Sequence, residues 1–183
     1  MQWLIVGLGN PGTRYNLTRH NAGFLTVELL AERKGWAWSE QTKFEGKTAG
    51  DKALLLLKPE TFMNASGVSL RKTVDYLKIP LEKLIVVHDD LDLPLGQAKV
   101  AWAKGPHVHN GLLSIEHYLG TKQFWRVRLG VDSRTAEERR VISGERYVLR
   151  GLSYEEKKLM NQGVERAIEI TEDIMKGRYA THG

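Results

Sequence analysis

Trp3-Leu4-Ile5-Val6 is an apolar run closed by Gly7, the pattern of a strand buried on both faces. Residues 8–19 are turn-rich. From Asn21 the period changes: Phe24, Val27, Leu30 and Ala31 share one helical face, and Lys34-Gly35 reads as a helix stop. Residues 53–57 predict a second buried strand, ended by Lys58-Pro59. Leu70, Val74 and Leu77 mark a second helix that closes before Pro80. Residues 84–87 predict a third strand, and 97–102 and 124–131 two more. In the last of these Arg126 and Arg128 share one face, with Val127 and Leu129 on the other. Residues 111–119 predict a short helix. Met160, Val164, Ala167, Thr171 and Ile174 give a long C-terminal amphipathic helix. Strands alternating with helices, without repeat or linker, imply an α/β fold. The expectation is a single domain over residues 1–183, with a twisted mixed, mostly parallel β-sheet flanked by helices.

Composition narrows the chemistry. The 183 residues are 42% hydrophobic and 27% charged, ordinary globular usage that argues against disorder, collagen and coiled coil. The absence of cysteine excludes disulfides, thiolate zinc sites and cysteine nucleophiles. No apolar run approaches the roughly 20 residues of a membrane span. Met1-Gln2 leads straight into the first strand pattern, without the basic and apolar regions of a signal peptide, so the expected location is the cytoplasm. The net charge of +5 permits a polyanionic partner without requiring one. The excess is concentrated at 122–150, in Lys122, Arg126, Arg128, Arg134, Arg139, Arg140, Arg146 and Arg150 against Asp132, Glu137, Glu138 and Glu145.

In α/β folds function collects beyond the carboxyl ends of strands, here in 8–21, 59–67 and 88–96. Gly7-Leu8-Gly9-Asn10-Pro11-Gly12 matches GxGxxG after a strand. Dinucleotide binding would need a helix opening within the glycines, yet helical periodicity starts only near Asn21, so a tight turn fits better. His20 precedes that helix, as a cap, a surface residue or a catalyst. His88-Asp89-Asp90-Leu91-Asp92 follows the third strand. Its carboxylates suit a metal, the orientation of a histidine, or a solvated turn. His107 and His109, at i, i+2, lie on one side of an extended chain, but no third histidine is tied to them, so no metal is expected. Asn64, Ser66 and Asn110 stand where helix N-caps belong. Asn10, Asn21, Asn64 and Asn110 all fall in the functional loops, and amides at one site suit an ester or amide substrate.

Taken together the motifs are more specific. Gly7 to Gly12, the Tyr15 to Gly23 run with its Thr-Arg-His-Asn-Ala-Gly core, Lys58-Pro59 through Phe62-Met63-Asn64-Ala65-Ser66-Gly67, His88 to Pro94, and His109-Asn110-Gly111 occur in order. This set resembles the bacterial peptidyl-tRNA hydrolases, from the first residues to about Gly130. The resemblance implies a metal-free and cofactor-free esterase that releases peptide from the 3′ end of tRNA. It implies His20 as the base that activates water and Asp89 as the carboxylate that orients it. Asn10 would help to distinguish peptidyl from aminoacyl substrates. Tyr15, Phe62, Met63, Asn64, His109 and Asn110 would hold the peptide and the terminal nucleotides, and Arg128, Lys99 and Lys104 the acceptor-stem phosphates. The implied partner is peptidyl-tRNA, bound by a monomer, with no membrane.

The chain departs from that pattern before His109, where Ala103-Lys104-Gly105-Pro106-His107-Val108 replaces a glycine-rich run. It departs again after Gly130, where it reads Val131-Asp132-Ser133-Arg134. Pro106 and Val108 stiffen a loop that glycines would leave mobile. The alternatives are a binding protein that uses the same cleft without turnover, and a nucleotide-dependent oxidoreductase. Hydrolysis and dinucleotide titration separate them.

Overall fold

The computed structural model describes residues 2–104 and 108–181. Among these described residues seven strands form one sheet in the order β2-β3-β4-β1-β5-β7-β6. They are β1 (Trp3–Gly7), β2 (Ser39–Gln41), β3 (Gly46–Gly50), β4 (Leu54–Pro59), β5 (Leu84–Pro94), β6 (Ala98–Trp102) and β7 (Trp125–Asp132). The centre, β4-β1-β5-β7, is parallel, and both edges are antiparallel. The helices are α1 (Ala22–Arg33), α2 (Ser66–Leu77), α3 (Asn110–Leu119), α4 (Ala136–Val141), α5 (Gly144–Val148) and α6 (Tyr154–Met175).

The alternation of strand side chains divides the core into two layers. Ile5, Leu56, Ile85, Val87, Val127 and Leu129 pack with Val27 and Leu30 of α1 and Val164, Ala167 and Ile168 of α6. Leu4, Val6, Leu57, Leu84 and Val86 point the other way, to Leu70 and Val74 of α2 and Leu112 and Ile115 of α3. The central strands are apolar on both faces because helices cover both.

Every predicted element is present, and three regions differ from the sequence reading. β5 does not end at Val87 but runs on through His88, Asp89 and Asp90, held by β7 in the register His88↔Arg128, Asp89↔Leu129, Asp90↔Gly130. The segment is buried strand, not a solvated turn. The β2–β3 hairpin and α4–α5 carry no clear apolar period: Ser39–Gln41 is largely exposed, and α4 buries none of its residues. The expected asparagine caps are not made. Ala65 precedes α2 without a side-chain bond, and α3 is capped by His109, whose ring accepts from the Leu112 N–H.

One close approach positions the site. A Cβ on Gly23 would meet Leu8 N and Val87 O at 2.3 Å, and one on Gly7 would meet Gly23 O at 2.3 Å. Only glycines let the start of α1 rest on the ends of β1 and β5. The turn Arg19–Asn21 is thereby set directly over the carboxyl ends of the parallel strands.

Candidate active site

β1 stops at Gly7, opposite Val87, while β5 continues. Asp89 therefore projects past its shorter neighbour into the crevice where α/β folds place ligands. A cleft of about 580 Å³ opens there, lined by Asn10, His20, Phe62, Met63, Asn64, Asp89, Asp90, Leu91, Asp92, Val108, His109, Asn110, Gly144, Glu145, Val148 and Leu149.

Asp89, 2% exposed, is the hub. His20 Nδ1 lies 2.9 Å from Oδ1 and 3.0 Å from Oδ2, and His109 Nε2 lies 2.9 Å from Oδ1. The tautomers follow from the partners. Leu112 N–H donates to His109 Nδ1, so the His109 proton sits on Nε2 and goes to Asp89. His20 donates from Nδ1, which leaves Nε2 as a lone-pair acceptor on a ring that lines the cleft. Burial alone would raise Asp89, but the charge and hydrogen bonds of the two histidines hold it far below the usual carboxylate range. Burial would lower His20, and the Asp89 carboxylate outweighs it by charge and hydrogen bond, so His20 is raised above 6.5.

His88 is buried next door, its ring 5.0 Å from His109. Its Nδ1–H donates to the Asp89 carbonyl at 2.8 Å, and burial, then the neighbouring His109, pushes it down to about 3. It stays neutral and adds no charge under the carboxylate.

Asn10 is pinned from two directions. Its backbone N–H donates to Asn21 Oδ1 at 2.8 Å, and Asn21 Nδ2 donates to its carbonyl at 3.0 Å. Its own Oδ1 accepts from the Met63 N–H at 2.9 Å. With the carbonyl end engaged, Nδ2 is the end left for the cleft. Asn21 is thus spent on the backbone of Asn10 and is not a substrate amide.

The histidine–aspartate cluster, His20, Asp89 and His109, brings three metal-type ligand atoms within 4.8 Å of one another. The bonding argues against a metal centre. Both imidazoles stand at hydrogen-bond length from Asp89, bridged by ring protons that a metal would have to displace. His107, the other histidine of the i, i+2 pair, lies outside the described residues.

The structure brings together Asn10, His20, Phe62, Met63, Asn64, Asp89, His109 and Asn110. Phe62 is 56% exposed at the rim, and Asn64 and Asn110 are also exposed. Tyr15 is not in the lining. Its hydroxyl accepts from Arg14, whose guanidinium stands 4.5 Å from the ring centre. The glycine motif leads only into a single 3₁₀ turn, Thr13–Tyr15, and α1 starts at Ala22, so the α-helix N-terminus that would cradle a pyrophosphate is not at the glycines. Sequence reasoning missed the wall formed by Gly144, Glu145, Val148 and Leu149, which no motif or period marks.

The basic stretch reads differently in three dimensions. Arg126 is fully buried, with Nη2 donating to Glu116 at 2.9 Å, so it is not a surface for phosphate. Arg134 and Arg139 are taken up by Asp132. Arg128 is anchored by Nε to Asp90 at 2.6 Å and stays partly exposed. It stands directly across from exposed Lys99 on β6.

Comparison with known proteins places this geometry in context. A family model described as peptidyl-tRNA hydrolase matches residues 4–182. A peptidyl-tRNA hydrolase of Bacillus cytotoxicus is 43% identical over 175 residues, 93% of this chain and 91% of that protein. One from Caldanaerobacter subterraneus is 42% identical over 179 residues, 95% of this chain and 93% of the relative. The crystal structure of peptidyl-tRNA hydrolase from Acinetobacter baumannii superposes with a TM-score of 0.85 at 35% identity, covering 97% of this chain and 90% of that one.

Proposed function

The chain belongs to the peptidyl-tRNA hydrolase family and hydrolyses the ester between peptide and tRNA, and from that premise we propose that His20 is the general base on water, oriented by Asp89. The observation that carries the assignment is the His20 Nδ1–Asp89 contact at 2.9 and 3.0 Å, with Nε2 left at the cleft. In this reading Nε2 takes a proton from water as the oxygen attacks the ester carbonyl. The tetrahedral intermediate then collapses, and the imidazolium returns its proton to the departing ribose oxygen. The products are a free peptide carboxyl and a tRNA hydroxyl. Asp89 favours the charged ring that forms in between, and His109 keeps Asp89 in place from the other side.

An ester is already activated, so a positioned base and a polar oxyanion site suffice. Asn10 Nδ2, fixed by the Met63 N–H and by Asn21, supplies the donor that meets the substrate carbonyl. Asn64 and Asn110 grip the backbone of a peptide of arbitrary sequence, beside Met63 and His109. Phe62 offers its exposed ring to a terminal base, and Tyr15 meets the RNA 3′ end outside the cleft. Arg128, with Lys99 opposite and Lys104 exposed nearby in sequence, contacts the acceptor-stem phosphates. Among the described residues no helix is long and apolar enough to cross a membrane. A cytoplasmic monomer of one domain completes the proposal, and sedimentation at assay concentration checks its mass.

His20→Gln keeps a polar side chain and removes the base. Turnover of peptidyl-tRNA should fall about 10²- to 10⁴-fold with the melting temperature little changed. Full activity in the variant would overturn the assignment.

A further inference from the structure

The segment 133–153 supplies Gly144, Glu145, Val148 and Leu149 to the cleft and is held only in part by apolar packing, through Val148 and Leu152. α4 buries no residue, and α5 buries Tyr147 and Val148. A polar clamp adds to these few core contacts. Arg19, next to His20 and 3% exposed, donates from Nη1 to the carbonyls of Arg150 at 3.3 Å and Gly151 at 2.8 Å. Its Nη2 pairs with Glu156 at the start of α6, and its guanidinium lies 4.2 Å from the centre of the Tyr147 ring. Arg134 also stands on that ring, at 4.6 Å. The Tyr147 hydroxyl bonds Ser133 Oγ at 2.7 Å and accepts the Ser133 N–H at 3.2 Å, while Ser133 Oγ donates to Glu156 at 2.6 Å. Thr18 bridges to Gly151 through the backbone.

A buried guanidinium is costly, and here Nη1 and Nη2 are partnered while Nε is buried without a hydrogen-bond partner, yet the chemistry assigned to His20 makes no use of Arg19. Its contacts all run the other way, into the chain that carries Gly144, Glu145, Val148 and Leu149 to the cleft. Resting on the reading of His20 as the base, we propose that Arg19 is a positioning residue that sets the cleft wall at its working distance from His20, so that it governs how substrate is held and not the basicity of the imidazole. The planar fork is what the role needs: one group reaches two carbonyls, a carboxylate and a ring face at once. A lysine offers a single point of charge.

Steady-state hydrolysis of peptidyl-tRNA by Arg19→Met, Arg19→Lys and Glu156→Gln tests this. Arg19→Met should raise KM about tenfold with kcat within about threefold, because a displaced wall weakens binding more than chemistry. The pH midpoint of kcat should not move. Arg19→Lys should recover part of the loss, and Glu156→Gln should shift KM the same way by less. A fall in kcat at constant KM, a moved midpoint, or wild-type kinetics would overturn the proposal. Should Arg19→Met fail to fold, Tyr147→Leu removes the stacking surface from the wall side, and there an unchanged KM would count against it. His20→Gln assayed in parallel keeps the two ideas apart. An active His20→Gln sinks the base assignment, whereas the KM split at Arg19 is read independently of it.

Discussion

Asp89, in the cleft, and Asp132, at the end of β7, are both buried aspartates held by basic side chains. Asp89, on the floor, is held by two imidazoles on a strand that continues a core of fully buried residues such as Ile85, Val86 and Val87. Asp132, at the root of the wall, is held by two guanidiniums, Arg134 and Arg139, where the chain leaves β7 for a segment with little apolar burial. Burial would raise both carboxyls, and cationic or hydrogen-bonding neighbours lower both. The difference lies in what the partners can do. A guanidinium stays charged and gives structure only. An imidazole exchanges a proton near neutral pH, so the same kind of buried pair becomes chemistry.

Parallel substitution sharpens that contrast most strongly. Asp89→Asn keeps the volume but loses the charge that orients His20, and kcat should fall about 10²- to 10⁴-fold. Asp132→Asn should leave kcat within about threefold and act on KM and on melting temperature, because leaving the buried Arg134 partly unpaired destabilises the wall. Equal losses of kcat in the two variants would mean that floor and wall are not separate devices.

The pH response separates them next. His20 must be unprotonated to act, so kcat/KM should fall about tenfold for each pH unit below its midpoint, which lies above 6.5. Stability runs the other way. A histidine raised on folding contributes stability that is fully present below the unfolded value of 6.5 and is lost as pH rises through the folded one. Asp132, depressed on folding, contributes stability that is present above 3.8 and is lost as pH falls through its folded value. Asp89, depressed as well, loses its contribution in acid in the same way, so floor and wall both loosen in acid and only the floor also loosens on the alkaline side, while it gains activity. In Asp89→Asn burial acts on His20 without opposition, and the activity midpoint should drop. A midpoint unmoved by Asp89→Asn would break the link between the pair and catalysis.

The same division explains what could be read from the sequence. The floor was legible because it hangs on elements with strong period: the runs 3–6 and 84–87 predict buried strands, and Asn10, His20, Asn64 and Asp89 fall in the stretches that follow such runs, although Asp89 proves to lie within β5 itself. The wall was not, since α4 buries nothing and α5 buries only Tyr147 and Val148, too few positions to leave a hydrophobic period beside the ion pairs and stacking. Charge was the least legible property. Alternation put Arg126 and Arg128 on one face, but only the fold shows that Glu116 and Asp90 wait there, burying the first and anchoring the second. The asparagines misled for a similar reason. Asn21 has the composition of a substrate amide, yet it spends both ends on the backbone of Asn10.

The smallest expected effect is the most direct test of how the wall is built. Thr135 and Glu138 close a reciprocal capping box at the start of α4. Thr135→Ala removes the bond to the Glu138 N–H and should cost about 1 kcal/mol of local helix stability. Had α4 been part of the core, that loss would appear as a lower melting temperature. Because α4 buries nothing, the cost should stay local: faster hydrogen exchange at the α4 amides, by about fivefold for 1 kcal/mol, with an unchanged global transition. KM should also hold within about twofold, since the clamp at Arg19 and Tyr147 lies beyond α4 and remains intact. A drop of several degrees in melting temperature would show instead that the wall folds as one cooperative unit with the floor, and the contrast between the two aspartates would then be one of chemistry alone.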